Sequence, residues 1–277
     1  MPEVAPGRVA ACVARWGLTL GTPYPADYSW VAPAERADGT GCVLKLVVHP
    51  DHDLAREAAT LQALGAAAIR LLEADLELGA LLLERADPGT PLSALVSGHD
   101  ERATGIACSV MQGVWQLPEP GCDVPTVATL VADFNGYPKG SLPDDRLVQR
   151  AAGLFAELAD GGPAMVLHGD LHHDNILAAT RLPWLAADPH GVVGDPAYEV
   201  GSLVANPFDF VRSHERLDVL LAARLDVLCD RLGFDRDHVM AWAFAKCVLS
   251  EVWSVADDLP PDGAFWRVAE TLDRWLM

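Results

Sequence analysis

The chain has 277 residues, 51% of them hydrophobic, which is enough for a sizeable core and comfortable for two lobes. Its formal net charge of −19 leaves no basic face for a phosphate backbone, so nucleic acid is not an expected partner. Apolar runs such as Gly79 to Leu83 and Ala63 to Ile69 are too short to span a bilayer, so no membrane partner is expected either.

In chain order, Val9 to Trp16 reads as a short helix. Trp30 to Glu35 reads as a strand, the turn Ala37-Asp-Gly-Thr-Gly41 reverses the chain, and Cys42 to Val48 returns carrying Lys45. Asp51 or Asp53 can cap a helix from Leu54 to Leu64, with Gly65 as its stop. Ile69 to Ala74 and Ala80 to Arg85 are two further strands around a turn at Leu78-Gly79. Strand, strand, helix, strand, strand implies a small antiparallel sheet with one helix, an α+β arrangement. Asp87-Pro88-Gly89 breaks the pattern and marks a hinge. After it, apolar residues recur at helical spacing near 100–117, 126–134, 144–159, 214–232, 236–257 and 264–276. Only Met165 to Leu167, Ile176 to Ala179 and Trp184 to Ala187 interrupt the helices, as short apolar runs between polar loops.

The N-terminus lacks a basic segment followed by an apolar one, so the expectation is a cytoplasmic protein without a signal peptide. Six cysteines, none in a Cys-x-x-Cys pair, argue for buried free thiols rather than a zinc site or disulfide scaffold. The acid excess is largest at the end, where residues 160–277 hold 19 acids against 9 bases. Such a field attracts a cationic small molecule, although an acidic surface also serves solubility. Only three lysines occur, Lys45, Lys139 and Lys246.

The chemistry concentrates in Val166-Leu-His-Gly-Asp-Leu-His-His-Asp-Asn-Ile-Leu-Ala179. Here His168, Asp170 and Asn175 follow a His-x-Asp-x-x-x-x-Asn spacing. Asp188 comes eighteen residues after Asp170, again at the end of an apolar run. Phosphoryl transfer needs a carboxylate to orient the attacking hydroxyl and oxygen ligands to hold magnesium against the phosphates. Asp170 suits the first role; Asn175 and Asp188 suit the second. Lys45 stands among Val43, Leu44, Leu46 and Val47, where its charge needs a partner, and Glu57 on the next helix can supply one. Such a pair holds nucleotide phosphates in kinases. A glycine-rich phosphate loop is missing; the turn Ala26-Asp-Tyr-Ser29, with its amides and the Ser29 hydroxyl, takes its place.

A rival reading makes His168, Asp170, His172, His173 and Asp174 a metallohydrolase cluster. The remaining histidines show no paired spacing, and Asp188 would then need another explanation. His172 and His173 fit better as loop-packing or substrate-facing residues. A nucleotide-binding module without turnover is a further alternative, opposed by the intact set of polar groups.

At these residues the chain resembles the aminoglycoside phosphotransferases, closest to the streptomycin 6-kinase and hydroxyurea kinase branch. The shared patterns are His168-Gly-Asp-Leu-His-His-Asp-Asn175, Asp188-Pro-His-Gly-Val-Val-Gly194, Leu249-Ser-Glu-Val-Trp253 and Asp38-Gly-Thr40. The resemblance runs from about Tyr24 to Asp258. It implies a protein-kinase-like fold, with residues 1–85 as an N-lobe that binds nucleotide and 86–277 as a helical C-lobe that holds the catalytic loop and acceptor. It also implies a hinge near 84–89, whose Glu84-Arg85-Ala86 backbone meets adenine, and a Glu199 that braces the catalytic loop. The implied activity is ATP- and magnesium-dependent phosphorylation of a small-molecule hydroxyl, foremost on an aminocyclitol such as streptomycin, alternatively on hydroxyurea or another metabolite. For a cationic acceptor, Asp209, Glu251, Trp253 and Asp258 are the candidate contacts; Glu251 and Asp258 share a helix face if that helix persists.

Overall fold

The computed structural model describes residues 4–26, 29–48, 54–261 and 263–277. A helix α1 (Pro6–Trp16) ends at Gly17, whose φ of +62° gives the left-handed turn that stops it. A three-residue strand β1 (Leu18–Leu20) follows, then β2 (Ser29–Arg36), β3 (Gly41–Val47), the helix α2 (Leu54–Ala63), β4 (Leu71–Asp75) and β5 (Ala80–Glu84). The sheet is antiparallel in the order β1-β2-β3-β5-β4. It therefore has five strands rather than the four expected, because β1 adds to the outer side of β2. The β2–β3 hairpin turns where anticipated: Gly39 sits at φ +83°, and the Asp38 carboxylate accepts from the Thr40 N–H at 2.9 Å. Asp51 and Asp53, the expected caps of α2, lie outside the described residues, as do Asp27 and Tyr28 of the expected phosphate turn.

Alternation on β3 sorts its side chains. Cys42, Leu44 and Leu46 join the core under α1, whereas Val43 and Val47 join the one under α2. Lys45 is in phase with the second set, which turns its ammonium towards α2.

Beyond β5 the chain is mainly helical: α3 (Ser93–Val114), a 3-10 helix over Val127–Gly136, α4 (Asp145–Ala159), α5 (Val200–Val204), α6 (Phe208–Ser213), α7 (Leu217–Leu232), α8 (Arg236–Ala256) and α9 (Ala264–Trp275). α3 starts earlier than its periodicity suggests because it bends at Ser97, Gly98 and His99, whose dihedrals are not helical. α8 is long and apolar enough to cross a membrane, but it is largely buried as the central helix of the larger core. Between α4 and α5 lie two small antiparallel pairs. β6 (Met165–Leu167) pairs with β9 (Val192–Gly194), and β7 (Ile176–Ala178) with β8 (Trp184–Ala186). These pairs carry the polar loops. β8 also touches the segment before β4, where Ile69 N–H donates to Ala186 O at 2.8 Å and Ala186 N–H to Ala67 O at 2.7 Å. All six cysteines are free thiols, four of them buried.

Candidate active site

Lys45 on β3 donates to Glu57 Oε2 at 2.6 Å and to Asp188 Oδ1 at 2.5 Å. Sheet, α2 and the loop after β8 thus meet at one ammonium. The Glu57 side chain is 3% exposed, whereas that of Asp188 is 57% exposed. Burial opposes the charge on Lys45, but Asp188 and Glu57 more than offset it and hold its pKa above the ordinary lysine value. Burial likewise opposes the charge on Asp188, and Lys45 overrides it, so the carboxyl stays ionised. Asp188 adopts φ +61°, a left-handed conformation that a non-glycine residue keeps only where its surroundings impose it.

The loop after β6 carries Asp170. Glu199, fully buried before α5, accepts from the backbone N–H of His168 at 2.8 Å, Gly169 at 2.9 Å and Leu171 at 3.4 Å. Gly169 turns at φ +84°. His168 is also fully buried; its Nε2–H donates to Ala187 O at 2.8 Å, and its Nδ1 accepts from the Asp170 N–H at 3.3 Å. Those two bonds select one neutral tautomer, and burial pushes its pKa down to about 4. Asn175 Nδ2 donates to Asp170 O at 2.9 Å, which leaves its Oδ1 as a spare acceptor. Its own carbonyl accepts from the Ala187 N–H at 2.8 Å, so Asn175 and the Asp188 segment lie side by side.

The Asp170 side chain is 30% exposed. Burial raises its pKa, but His172, His190, Lys246 and His168 more than cancel that and hold it at about 2. His172 Nε2 lies 3.6 Å from Asp170 Oδ2. Lys246, on α8, donates to Gly169 O at 3.1 Å and to the Tyr198 hydroxyl at 2.5 Å, and stands 4.4 and 4.7 Å from the ring centroids of Tyr198 and Trp253. Burial lowers its pKa to about 8, against the pull of Asp170 and Glu199.

Other expected residues fall differently. Glu251 is not an acceptor contact: it is fully buried and accepts from the N–H of Gly263 at 3.3 Å and Trp266 at 3.1 Å at the start of α9. Asp258 shares no helix face with it, because α8 ends at Ala256 and Asp258 turns at φ +55° beyond it. Asp209 is exposed and paired with Arg212. Trp253 already stacks on a cation of the chain itself, Lys246, while its indole N–H donates to Asp133 at 2.8 Å. Ser29 opens β2 and is buried. Glu84 ends β5, and its carboxylate is held by Arg181 at 2.7 and 2.8 Å; Arg181 also reaches Ala66 O and Ala68 O. Ala86 follows two residues later, outside any strand.

Against the metallohydrolase reading, His168 spends both ring nitrogens on Ala187 O and the Asp170 N–H, and among the described residues no group of three or more His, Cys, Asp or Glu side chains is placed to hold a metal ion. His173 is fully buried and faces no substrate. Lys246 escaped the sequence reading, although a lysine inside Phe244-Ala-Lys-Cys-Val248 gives the same signal as Lys45.

The aminoglycoside/hydroxyurea antibiotic resistance kinase family model matches residues 15–258. The chain belongs to that family. It is 35% identical over 270 residues to a hydroxyurea phosphotransferase of Kitasatospora aureofaciens, covering 92% of this chain and 74% of that one. It is 31% identical over 275 residues to a streptomycin 6-kinase of Streptomyces griseus, covering 92% and 84%. Its fold matches the ternary complex of a thermostable mutant of aminoglycoside phosphotransferase APH(4)-Ia with AMP-PNP and hygromycin B, at a TM-score of 0.62 and 17% identity, over 95% of this chain and 97% of that one. The fold is thus kinase-like, with a sheet-based N-lobe and a helical C-lobe, and the family makes the chain an ATP-using O-phosphotransferase of the antibiotic-modifying kind.

Proposed function

We propose that this kinase moves the γ-phosphoryl group of ATP, with magnesium, onto a hydroxyl of a small antibiotic-like molecule. The carrying observation is the convergence of Lys45, Glu57 and Asp188 on one contact while Asn175 ties the Asp170 loop to the Asp188 segment. Asn175 Oδ1 and the open Asp188 carboxylate fit magnesium, a hard cation that takes one or two protein oxygens and leaves the rest to phosphate and water. Bound there, the ion would neutralise charge on the β- and γ-phosphates. Lys45, fixed by Glu57, would hold the α- and β-phosphates. The Glu84–Ala86 backbone would meet adenine, dividing an N-lobe of residues 1–85 from a C-lobe of 86–277; the Ser29 turn would lie over the phosphates.

The acceptor hydroxyl hydrogen-bonds to Asp170. Its oxygen bonds to the γ-phosphorus as the bond to the β-phosphate oxygen breaks, its proton passes to Asp170, and ADP leaves. A carboxylate held near pKa 2 is a weak base, so orienting the hydroxyl is the larger part of its contribution.

The acceptor we propose is an aminocyclitol such as streptomycin, supported by the net charge of −19 and the streptomycin 6-kinase relative. Asp209 and Asp258 remain exposed carboxylates for it. Hydroxyurea is a second reading. It is favoured by the 35% relative and by the withdrawal of Glu251 into the α9 cap, which removes one carboxylate from a cationic acceptor. Incubating the purified chain with ATP, magnesium and either compound, and reading the products by mass spectrometry, tests both. A phosphate ester of streptomycin supports the first reading, one of hydroxyurea alone replaces it, and neither refutes both.

A further inference from the structure

Gly169, immediately before Asp170, is gripped on both sides, at its own N–H and at its own carbonyl. Glu199 accepts from its N–H at 2.9 Å, and Lys246 donates to its carbonyl at 3.1 Å. Because Gly169 turns at φ +84°, it has few steric restraints of its own; Glu199 orients the peptide on its N-terminal side, and Lys246 orients the one that joins it to Asp170. Lys246 is itself tightly placed. It is 3% exposed, its ammonium also reaches the Tyr198 hydroxyl, and the rings of Tyr198 and Trp253 flank it. A second restraint fixes its stem: a Cβ on Gly201 of α5 would stand 2.4 Å from both Cβ and Cγ of Lys246. Burying an ammonium this deeply is unfavourable unless each donor is used, and a methionine of similar length would fill the space without that penalty. Packing alone does not explain a lysine here.

We propose that Lys246 is a positioning residue for phosphoryl transfer: by holding the Gly169 carbonyl opposite Glu199, it fixes the peptide that aims Asp170 at the acceptor hydroxyl. The inference rests on the reading of Asp170 as the residue that takes that hydroxyl. Trp253 and Asp133 belong to the same device, since the indole N–H bond to Asp133 holds the ring against the ammonium. Lys246 touches neither Asn175 nor Asp188, so its loss should leave nucleotide binding in place while the acceptor hydroxyl is misaimed.

The test compares wild type, Lys246→Met, Gly201→Ala and Asp170→Asn with ATP and whichever of streptomycin or hydroxyurea the wild type phosphorylates, on protein shown to be folded by circular dichroism. A misplacement of about 1 Å costs roughly 10²-fold in rate, so Lys246→Met should lose about that much kcat while its KM for ATP stays within about threefold. Gly201→Ala keeps the charge but pushes the lysine stem aside; it should show the same split to a smaller degree, and it decides the matter if Lys246→Met does not fold. A purely structural lysine would lower the melting temperature and leave kcat of the folded protein unchanged. That result, with Asp170→Asn inactive, overturns the inference alone. Full activity of Asp170→Asn, or no turnover of either compound by wild type, removes the reading beneath it and the inference too.

Discussion

Gly191→Ala should loosen the coupling between α2 and the Asp188 loop. Gly191 has φ +69°, and an added Cβ would lie 1.8 Å from Thr60 Oγ1 and 2.9 Å from Thr60 Cβ. Thr60 is on α2, one turn from Glu57, and its hydroxyl donates to Arg56 O at 2.7 Å. The left-handed conformation costs alanine about 1 kcal/mol, and overpacking typically adds about 1–3 kcal/mol, so the loss should be about 2–4 kcal/mol. The helix cannot yield without moving Glu57 from Lys45, so KM for ATP should rise as stability falls. Thr60→Ala removes the Oγ1 overlap but not the Cβ one, so Gly191→Ala with Thr60→Ala should be less destabilised than the sum of the single variants by about 1 kcal/mol. Urea denaturation of the four proteins measures the cycle. A Gly191→Ala variant within about 0.5 kcal/mol of wild type, or strict additivity, would show that the two elements do not bear on each other.

His168 has a folded pKa of about 4 against 6.5 unfolded, so only the unfolded state takes up a proton in that window. The neutral ring's contribution is complete above pH 6.5 and is lost as pH falls towards 4, about 3 kcal/mol in all; His168→Gln should flatten that part of the urea stability–pH curve. Lys45→Met should raise KM for ATP, Glu57→Gln should reproduce part of the loss, and a double-mutant cycle should be non-additive; additivity would argue against a working pair. Asp188→Ala should weaken magnesium-dependent ATP binding more than Asn175→Ala, because a carboxylate is the stronger ligand, and calorimetry with and without magnesium should show it. Equal, small losses would contradict those roles.

Most of the fold was legible because long elements carry long periods. The helical spacing near 236–257 and 264–276 became α8 and α9 almost to the residue, and β2, β3 and β5 fell within a residue or so of their apolar runs. What escaped is short or non-local. β1 and β9 have three residues each, and α5 and α6 five and six, too few for a period to emerge. The 126–134 segment is a 3-10 helix, whose i, i+3 spacing its apolar residues satisfy equally well. Around the proposed site, the Lys45–Glu57 contact is legible because a charged group within an apolar run demands a partner, and Asp170, Asn175 and Asp188 stand out as polar groups at strand ends. Glu251 misled because its sequence neighbours do not reveal that α9 folds back over it, and the Arg181 grip on Glu84 joins residues 97 apart.

The central proposal is that Asp170 takes the acceptor hydroxyl. The most direct measurement is single-turnover transfer of the labelled γ-phosphate from ATP to streptomycin and to hydroxyurea, by wild type and by Asp170→Asn, with ATP affinity measured in parallel. Magnesium-dependent label on one acceptor, falling by about 10²–10⁴-fold in the variant while ATP still binds, is the predicted result. Transfer by Asp170→Asn within about twofold of wild type would contradict it.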